Sequence, residues 1–238
     1  MSGEIRCARR KGMIRNVTIL FMLILFSSWA AMPVLSATIP IENASFELPV
    51  VPPDWLGWPF IDGWTEIDVA PLGDSVNTGV FPNTDPNSFD HIVNADGNQL
   101  AFLFSETGNA LEQNLAATYK PGCDYRLTVA IGVSSRIPPT ILEPVGTLEL
   151  ALYYRDVNEP NEVIDIVSHT VEATDIFPTQ LKNFSVYLPT VPSDANCVGN
   201  TIGIAIRATG VAGGVWVLDN VRLGESLPIP DIALTNKE

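Results

Sequence analysis

Apolar and polar residues alternate at strand period through the second half of the chain. Every second residue is apolar over 124–133, over 146–154 and over 201–208. Alternation at period two is typical of antiparallel strands that bury one face. Similar segments predict further strands at 99–104, 110–115, 162–171, 181–188 and 215–223. We find no convincing helical stripe.

Glycine, proline and asparagine separate these segments, and the turn-rich stretch 155–161 is expected to close a hairpin. Short strands at this spacing favour an all-β fold, an antiparallel β-sandwich of the jelly-roll type. With no internal repeat or low-complexity linker, we expect one domain over residues 38–224. Residues 225–238, which include Pro228 and Pro230, are expected to form a loose tail.

Residues 49–98 break the alternation and form a long segment that mixes aromatic rings with Pro, Gly, Asn and Asp. Long irregular segments in compact domains are often functional. Flat rings beside short polar side chains suit a sugar site, because rings stack on sugar C–H faces and polar groups bind hydroxyls. Alternatively, the rings plug the open end of the sandwich, and 96–98 is an ordinary turn. The candidate ligand-binding residues are Trp58, Trp64, Phe81, Asp96, Asn98 and Gln99.

Asp219 stands in the apolar row that Val215, Val217, Val221 and Leu223 would form in a regular strand. A carboxylate in such a row is costly unless something pairs with it.

A predicted short strand at 41–47 also ends in a carboxylate, that of Glu47. We therefore predict a structural calcium ion bound by Glu47 and Asp219, with Asn43 as a further oxygen ligand. Two alternatives are that Asp219 is a catalytic acid and that it accepts hydrogen bonds from a neighbouring loop without metal.

The first 37 residues have the pattern of a secretory signal peptide: a basic head, a short apolar run and small residues. The apolar run is short for a membrane anchor, which needs about 20 residues. We predict cleavage after Ala37, with a second candidate site after Ala30, and therefore a secreted or periplasmic protein that does not span the membrane.

Cleavage after Ala37 removes five basic residues and one acidic residue and takes the formal net charge from −14 to −18. Nucleic acid is therefore excluded as a partner, because phosphate contacts need clustered Lys and Arg. Cys7 lies in the signal, so Cys123 and Cys197 remain, and two cysteines in an exported protein predict one disulfide. The alternative is two buried thiols that lie too far apart to join.

Hydrolytic machinery is not evident. The chain has two histidines, His91 and His169, and no Gly-x-Ser-x-Gly motif, zinc-ligand spacing or phosphate-binding loop.

Several short motifs occur in an order that resembles the galactose-binding-like jelly rolls, especially the exported bacterial branch that includes the Stig cyclases of hapalindole biosynthesis. More distantly, the chain is similar to carbohydrate-binding modules of the 4/9/22 type. The resemblance covers about residues 39–224. It is carried by Asn43-Ala44-Ser45-Phe46-Glu47, Gly63-Trp64, Gly79-Val80-Phe81, the segment 96–103, the segment 121–129 and Leu218-Asp219-Asn220-Val221-Arg222-Leu223.

The resemblance implies a β-sandwich with bound calcium, in which Glu47 and Asp219 match the positions that feed the metal in the binding modules. We predict the first of two activities, and the resemblance implies the second as the alternative. The first is non-catalytic binding of a glycan or small apolar ligand through the loops of residues 55–99. The second is a cyclase that folds and cyclises an isonitrile-bearing indole terpenoid in an aromatic pocket; its acid cannot be placed here by motif.

Overall fold

A computed structural model describes residues 36–67, 77–133, 146–156, 159, 162–176, 179–210 and 214–227. All of them belong to one compact unit, Leu35–Glu238. The predicted signal, apart from its last two residues, and the tail after Leu227 lie outside the described residues.

The described residues form eleven strands and one short 3₁₀ helix, Ala173–Asp175. All eight strand segments predicted from alternation match to within three residues at either end, and the last strand continues to Ser226. The strands are β1 Ser36–Ile39, β2 Thr65–Ile67, β3 Thr78–Pro82, β4 Gln99–Phe104, β5 Ala110–Thr118, β6 Asp124–Val133, β7 Thr147–Arg155, β8 Val163–Glu172, β9 Lys182–Leu188, β10 Thr201–Ala208 and β11 Val215–Ser226.

Two antiparallel sheets face each other, as the all-β sandwich prediction requires. Sheet A has the order β3-β4-β11-β6-β9, with β1 paired to the second half of β11. Sheet B has the order β2-β5-β10-β7-β8, and its β7–β8 pair is the predicted hairpin. The inward-facing apolar residues of both sheets form one large core, as expected when period-two strands stack face to face.

Strand β11 changes face at Asn220, which corrects the apolar row expected from the sequence. Asn220 has a left-handed φ of 48°, and the pairing of β11 with β6 is irregular between Asp219 and Arg222. A bulge of this kind shifts the alternation by one residue. Val221 and Leu223 therefore belong to the main core, whereas Val217 belongs to a smaller apolar cluster with residues from β3, β4 and β6.

The predicted strand at 41–47 is wrong, because this segment is a turn that follows β1. Asn43 and Phe46 have left-handed φ values of 47° and 54°, and the Phe46 N–H donates to the Asn43 carbonyl at 3.1 Å. Left-handed residues break strand pairing. The region 49–98 is also less irregular than predicted, since it contains β2 and β3.

Both predicted domain boundaries fall inside paired strands. Ser36 and Ala37 pair with Ser226 and Glu225 in the β1–β11 ladder. Cleavage after Ala37 would therefore remove the first half of β1.

Candidate functional site

The carboxylates of Glu47 and Asp219 both accept backbone hydrogen bonds from one turn. The Glu47 Oε1 atom accepts the backbone N–H groups of Asn98 and Gln99, both at 2.8 Å. Asp219 Oδ2 accepts the backbone N–H of Asp96 at 2.6 Å, and its Oδ1 accepts that of Asn220 at 2.7 Å. The two acidic residues that the sequence paired thus meet at residues 96–99, the segment that leads into β4.

Gly97 lets this turn approach Glu47. Its φ is +105°, a conformation that L-residues rarely adopt, and a Cβ on Gly97 would lie 2.4 Å from Glu47 Oε1. Ser45 adds a third contact, because its hydroxyl donates to Asp96 Oδ2 at 2.8 Å. We call Glu47, Asp219 and the turn 96–99 the acidic clasp.

Asp219 is fully buried, and burial raises its pKa to about 7. The Asp96 and Asn220 N–H groups act in the opposite direction, while the negative charges of Asp96 and Glu47 raise the pKa further. Among the described residues, no lysine or arginine pairs with Asp219. The hydrogen bonds that its carboxylate accepts in the described residues come from backbone N–H groups. Calcium binding by Asp219 stays a prediction.

The donor set of the acidic clasp suits a hard cation in part. Glu47 and Asp219 supply carboxylate oxygens, which calcium prefers, and their mutual repulsion would be relieved by a bound cation. However, the described residues contain no group of three or more His, Cys, Asp or Glu side chains placed to hold a metal. A calcium ion here would need backbone or amide oxygens as its other ligands.

Asn43, the third predicted ligand, is engaged elsewhere. Its amide nitrogen donates to the carbonyls of Leu48 and Asp62 at 2.7 and 2.9 Å, and its amide oxygen accepts the Leu48 N–H at 3.0 Å. The side chain thus fixes the turn that carries Glu47. Its role as a metal ligand stays a prediction.

The predicted ligand-binding residues do not share one surface. Trp64 is 8% exposed and packs on Phe46 at a ring distance of 5.3 Å, and Phe81 is 6% exposed in the smaller apolar cluster. Neither ring offers a face to a ligand. Gln99 is also buried, where its amide donates to the carbonyls of Phe46 and Pro49. Asp96 and Asn98 are exposed, and Trp58 is 37% exposed.

Trp58 lies on a loop of residues 48–62, which we call the aromatic loop. The Asp62 N–H donates to the Leu48 carbonyl at 3.3 Å and closes its base. Trp58 and Val80 of β3 exchange two backbone hydrogen bonds, of 2.7 and 2.9 Å. Val51 and Ile61 are buried anchors in the main core. Compact loops with closed ends are often functional.

Three rings of the aromatic loop contact one another at the surface. Trp55 stacks on Trp58 at 5.4 Å, and Phe60 meets Trp58 edge-on at 6.5 Å. Trp55 and Phe60 are 44% and 60% exposed. The sequence indicated an aromatic-rich region but not which rings are exposed. The prolines that flank these rings are a sequence signal for a loop in place of a regular strand. They are Pro49, Pro52, Pro53 and Pro59.

A groove of about 540 Å³ lies between residues 40–42 and strands β2 and β5. Gln113 frames it: its side chain binds both backbone groups of Glu42 and the Gly63 carbonyl at 2.9–3.0 Å. No aromatic ring is present among the described residues that line it, Pro40, Ile41, Glu42, Gly63, Thr65, Gln113, Asn114, Leu115 and Ala116. The aromatic loop is therefore the stronger candidate for binding a flat ligand.

The predicted disulfide is absent from the structure, in which Cys123 and Cys197 are free, buried thiols. Cys123 Sγ lies 3.7 Å from Glu225 Oε1 instead. Burial raises the pKa of both thiols, and the Glu225 charge raises that of Cys123 further, so both stay protonated. Burial of both thiols is one part of the alternative given from the sequence.

One family model matches most of the chain. The family model described as HpiC1 cyclase matches residues 37–224, and the chain belongs to this HpiC1-like family. No curated protein matches the chain.

Solved structures of Stig cyclases share the fold. The chain is 24% identical to Fisc from Fischerella sp. TAU in complex with (3Z)-3-(1-methyl-2-pyrrolidinylidene)-3H-indole, with a TM-score of 0.65 over 82% of this chain and 100% of that one. A cyclase from the same source in complex with 4-(1H-indol-3-yl)butan-2-one is 23% identical, with a TM-score of 0.60 over 81% of this chain and 100% of that one.

A family 16 carbohydrate-binding module is a more distant structural match. It is 17% identical, with a TM-score of 0.43 over 77% of this chain and 97% of the module. Within the described residues, no helix is long and apolar enough to cross a membrane.

Proposed function

We propose that this protein binds a small ligand with a flat, largely apolar face, such as a sugar ring or an indole, on the aromatic loop. The observation that carries the proposal is the contact group of Trp55, Trp58 and Phe60, which is exposed although its loop has a fixed base. Exposed rings held in place bind ligands with little loss of side-chain freedom. The indole ligands bound by two structural relatives make this ligand class a direct choice of probe.

Tryptophan fluorescence tests this proposal. The purified protein is titrated with 4-(1H-indol-3-yl)butan-2-one and screened on a glycan array. We expect saturable binding of one probe class and a loss of at least about fivefold in affinity for Trp58→Ala, because a removed stacking ring costs about 1 kcal/mol or more. Phe89→Ala is the matched control, since Phe89 is an exposed ring outside the aromatic loop. Equal losses in both variants would contradict the site, and a lack of binding in every assay would contradict the function.

Membership of the HpiC1-like family favours a second candidate function, the cyclisation of an indole terpenoid. Such a rearrangement is an isomerisation, so substrate and product have the same mass. Incubation with an isonitrile-bearing prenylated indole should then yield an isomer that separates from the substrate by chromatography. If the mixture is identical to a boiled-protein control, the cyclase proposal fails while ligand binding is still testable.

Export is a further part of the proposal and rests on the N-terminal pattern. The pairing of Ser36 and Ala37 in β1 favours cleavage after Ala30, which keeps β1 whole. Sequencing the N-terminus of the protein from the extracellular or periplasmic fraction tests this. A chain that begins at Thr38 would restore the first prediction, and an uncleaved cytoplasmic protein would contradict export.

A further inference from the structure

The groove between residues 40–42 and strands β2 and β5 is a cavity that the proposed function does not use. Within the described part of the chain, its lining shares no residue with the aromatic loop or the acidic clasp. Its volume of about 540 Å³ is typical of ligand sites, which measure about 300–1,000 Å³. The groove is therefore large enough to hold a ligand of its own.

One wall of the groove is an open edge of strand β5. The ladder with β2 ends at the pair of Thr65 and Glu112, so no described strand lies beside the next residues of β5 on this side. The Asn109 carbonyl accepts the Ala208 N–H at 2.9 Å, and the pairing with β10 is regular up to Asn114. Odd-numbered residues here thus direct their backbone groups towards β10, and even-numbered ones direct them away from it. Asn114 is the first even-numbered residue beyond β2, so its N–H and C=O face the groove.

The pairing of β5 with β10 is also interrupted beside the groove. It passes from Asn114 directly to Thr118, so residues 115–117 have no partner residue in any ladder of the described strands. Leu115 and Ala116 line the groove. Unpaired strand backbone at the edge of a sheet is a template for pairing with another chain. The groove therefore suits a ligand that carries backbone groups of its own.

Gln113 fixes the opposite wall of the groove. Its amide accepts the Glu42 N–H at 3.0 Å and donates to the carbonyls of Glu42 and Gly63 at 3.0 and 2.9 Å. Glu42 is thus bound to β5 through a side chain instead of by strand pairing. Both walls are in place before a ligand arrives, which lowers the ordering cost of binding.

We propose that this groove binds an extended, basic peptide as a short added strand beside β5. Main-chain hydrogen bonds supply the affinity of such strand addition, and alternate side chains supply its specificity. Glu42 is the charged residue among the described residues that line the groove, and its side chain is exposed. Together with the formal net charge of −14, it favours a peptide with lysine or arginine. The peptide site is independent of ligand binding on the aromatic loop.

Fluorescence anisotropy with a labelled hexapeptide of alternating valine and lysine tests the inference. The control peptide has the same sequence and charge, but every second backbone nitrogen is methylated, which removes the donors along one edge. We expect saturable binding of the first peptide and an affinity at least about tenfold lower for the methylated one, because several hydrogen bonds are lost. Binding to a charge alone would not distinguish the two peptides.

Two matched variants place the peptide in the groove. Ala116 is exposed, and Ala116→Phe fills the groove with a residue that strands accept. We expect its affinity for the peptide to fall at least about tenfold. Ser168→Phe, at an exposed position of β8, should leave the affinity unchanged. If Ala116→Phe loses its circular dichroism spectrum, Glu42→Gln takes its place and should lower the affinity about threefold and weaken its salt dependence.

Three results would overturn the inference: no saturable binding of the hexapeptide, equal affinity for the methylated peptide, or equal affinity in the parent protein and the groove variants. Titration of Ala116→Phe with 4-(1H-indol-3-yl)butan-2-one separates the two proposals. Unchanged indole binding supports a separate groove, and a joint loss of indole and peptide binding in the folded variant contradicts it. Peptide binding without any indole or glycan binding contradicts the proposed function only.

Discussion

Gly97 carries the tightest contact of the acidic clasp. Gly97→Ala would bring a methyl group against Glu47 at a left-handed position, and we expect a loss of about 1–3 kcal/mol in the free energy of unfolding. Gly199→Ala is the control: its φ is also positive, at +83°, but its added Cβ meets no atom within 4 Å. Urea denaturation of both variants separates the clash from backbone strain, and equal losses would show that the contact with Glu47 contributes nothing.

Two residues of the site could be predicted from the sequence, whereas the contacts they make could not. Asp219 was found because it stands in an apolar row, and Glu47 because it ends the strand predicted at 41–47. That segment is a turn, yet the structure brings both carboxylates to residues 96–99. Both carboxylates accept hydrogen bonds from backbone N–H groups of this turn. Backbone groups leave no pattern in the amino-acid sequence, so this contact could not be predicted. The left-handed conformations of Asn43, Phe46 and Asn220 are equally hard to predict, because non-glycine residues seldom adopt them.

At the scale of elements, strand β3 positions Trp58 because Gly79 lets the two backbones come close together. A Cβ on Gly79 would lie 2.1 Å from the Trp58 carbonyl oxygen. We expect Gly79→Ala to displace the aromatic loop and weaken ligand binding at least about tenfold while the rings themselves are unchanged. Gly224→Ala is the matched control, because its Cβ would meet only the Ser36 hydroxyl, at 3.1 Å. Ligand affinity by fluorescence measures the effect, and equal affinity for both variants would show that this close approach is not needed.

Charged side chains cross-link four strands on the outer face of sheet B. Arg207 of β10 contacts Glu149 of β7 at 3.1 Å, Asp165 of β8 at 2.7 Å and Glu112 of β5 at 3.5 Å. Because the Glu112 side chain is almost fully buried but keeps Arg155 as a partner, Arg207→Met should cost about 1.5–3 kcal/mol of unfolding free energy.

Arg222→Met is the control for this network, since the Arg222 guanidinium donates to the neutral Asn183 amide and forms no ion pair within the described residues. It should change stability by about 0.5 kcal/mol or less. Chemical denaturation compares the two variants. A small effect at Arg207 would mean that Arg155, 3.1 Å from Glu112, holds that charge by itself.

Strands with clean alternation were predicted well, since one face of each lies in the main core. The short strands β2 and β3 were missed because their residues include Glu, Gly and Pro and are too few to show a period. The exposed rings of the aromatic loop could not be separated from the buried Trp64 either. Which ring meets the core depends on contacts between distant segments, such as Phe46 with Trp64.

At the scale of the whole molecule, buried tyrosines govern stability at alkaline pH. Burial raises the pKa of Tyr125 and of Tyr153 to about 12, above the ordinary value of 10.0. The folded state therefore holds these protons more tightly than the unfolded state. The associated stability is complete below about pH 10 and is lost as the pH rises towards 12. Denaturation curves between pH 9 and pH 12 should show this decline, and a flat profile would contradict it.

Removal of calcium tests whether the acidic clasp, which joins distant parts of the chain, binds a metal ion. If the ion binds Glu47 and Asp219, excess chelator should lower the melting temperature by several degrees, because a ligand of the native state stabilises it. Glu47→Gln keeps the hydrogen-bond acceptor but removes a charge, so the response should shrink or vanish in this variant. A melting temperature that chelator leaves unchanged would show that backbone N–H groups alone complete the clasp.

The bulge at Asn220 has a consequence for how this chain tolerates change during evolution. Before the bulge, the core-facing positions of the last strand are even-numbered, Trp216 and Leu218; after it they are odd-numbered, Val221 and Leu223. A saturation scan of this strand should show intolerance at every residue from 215 to 219, where both faces are buried, and at the odd-numbered residues alone after residue 220. Loss of that one residue would realign the two halves and turn one of them inside out, so a deletion there should be far less tolerated than any single substitution at the same place.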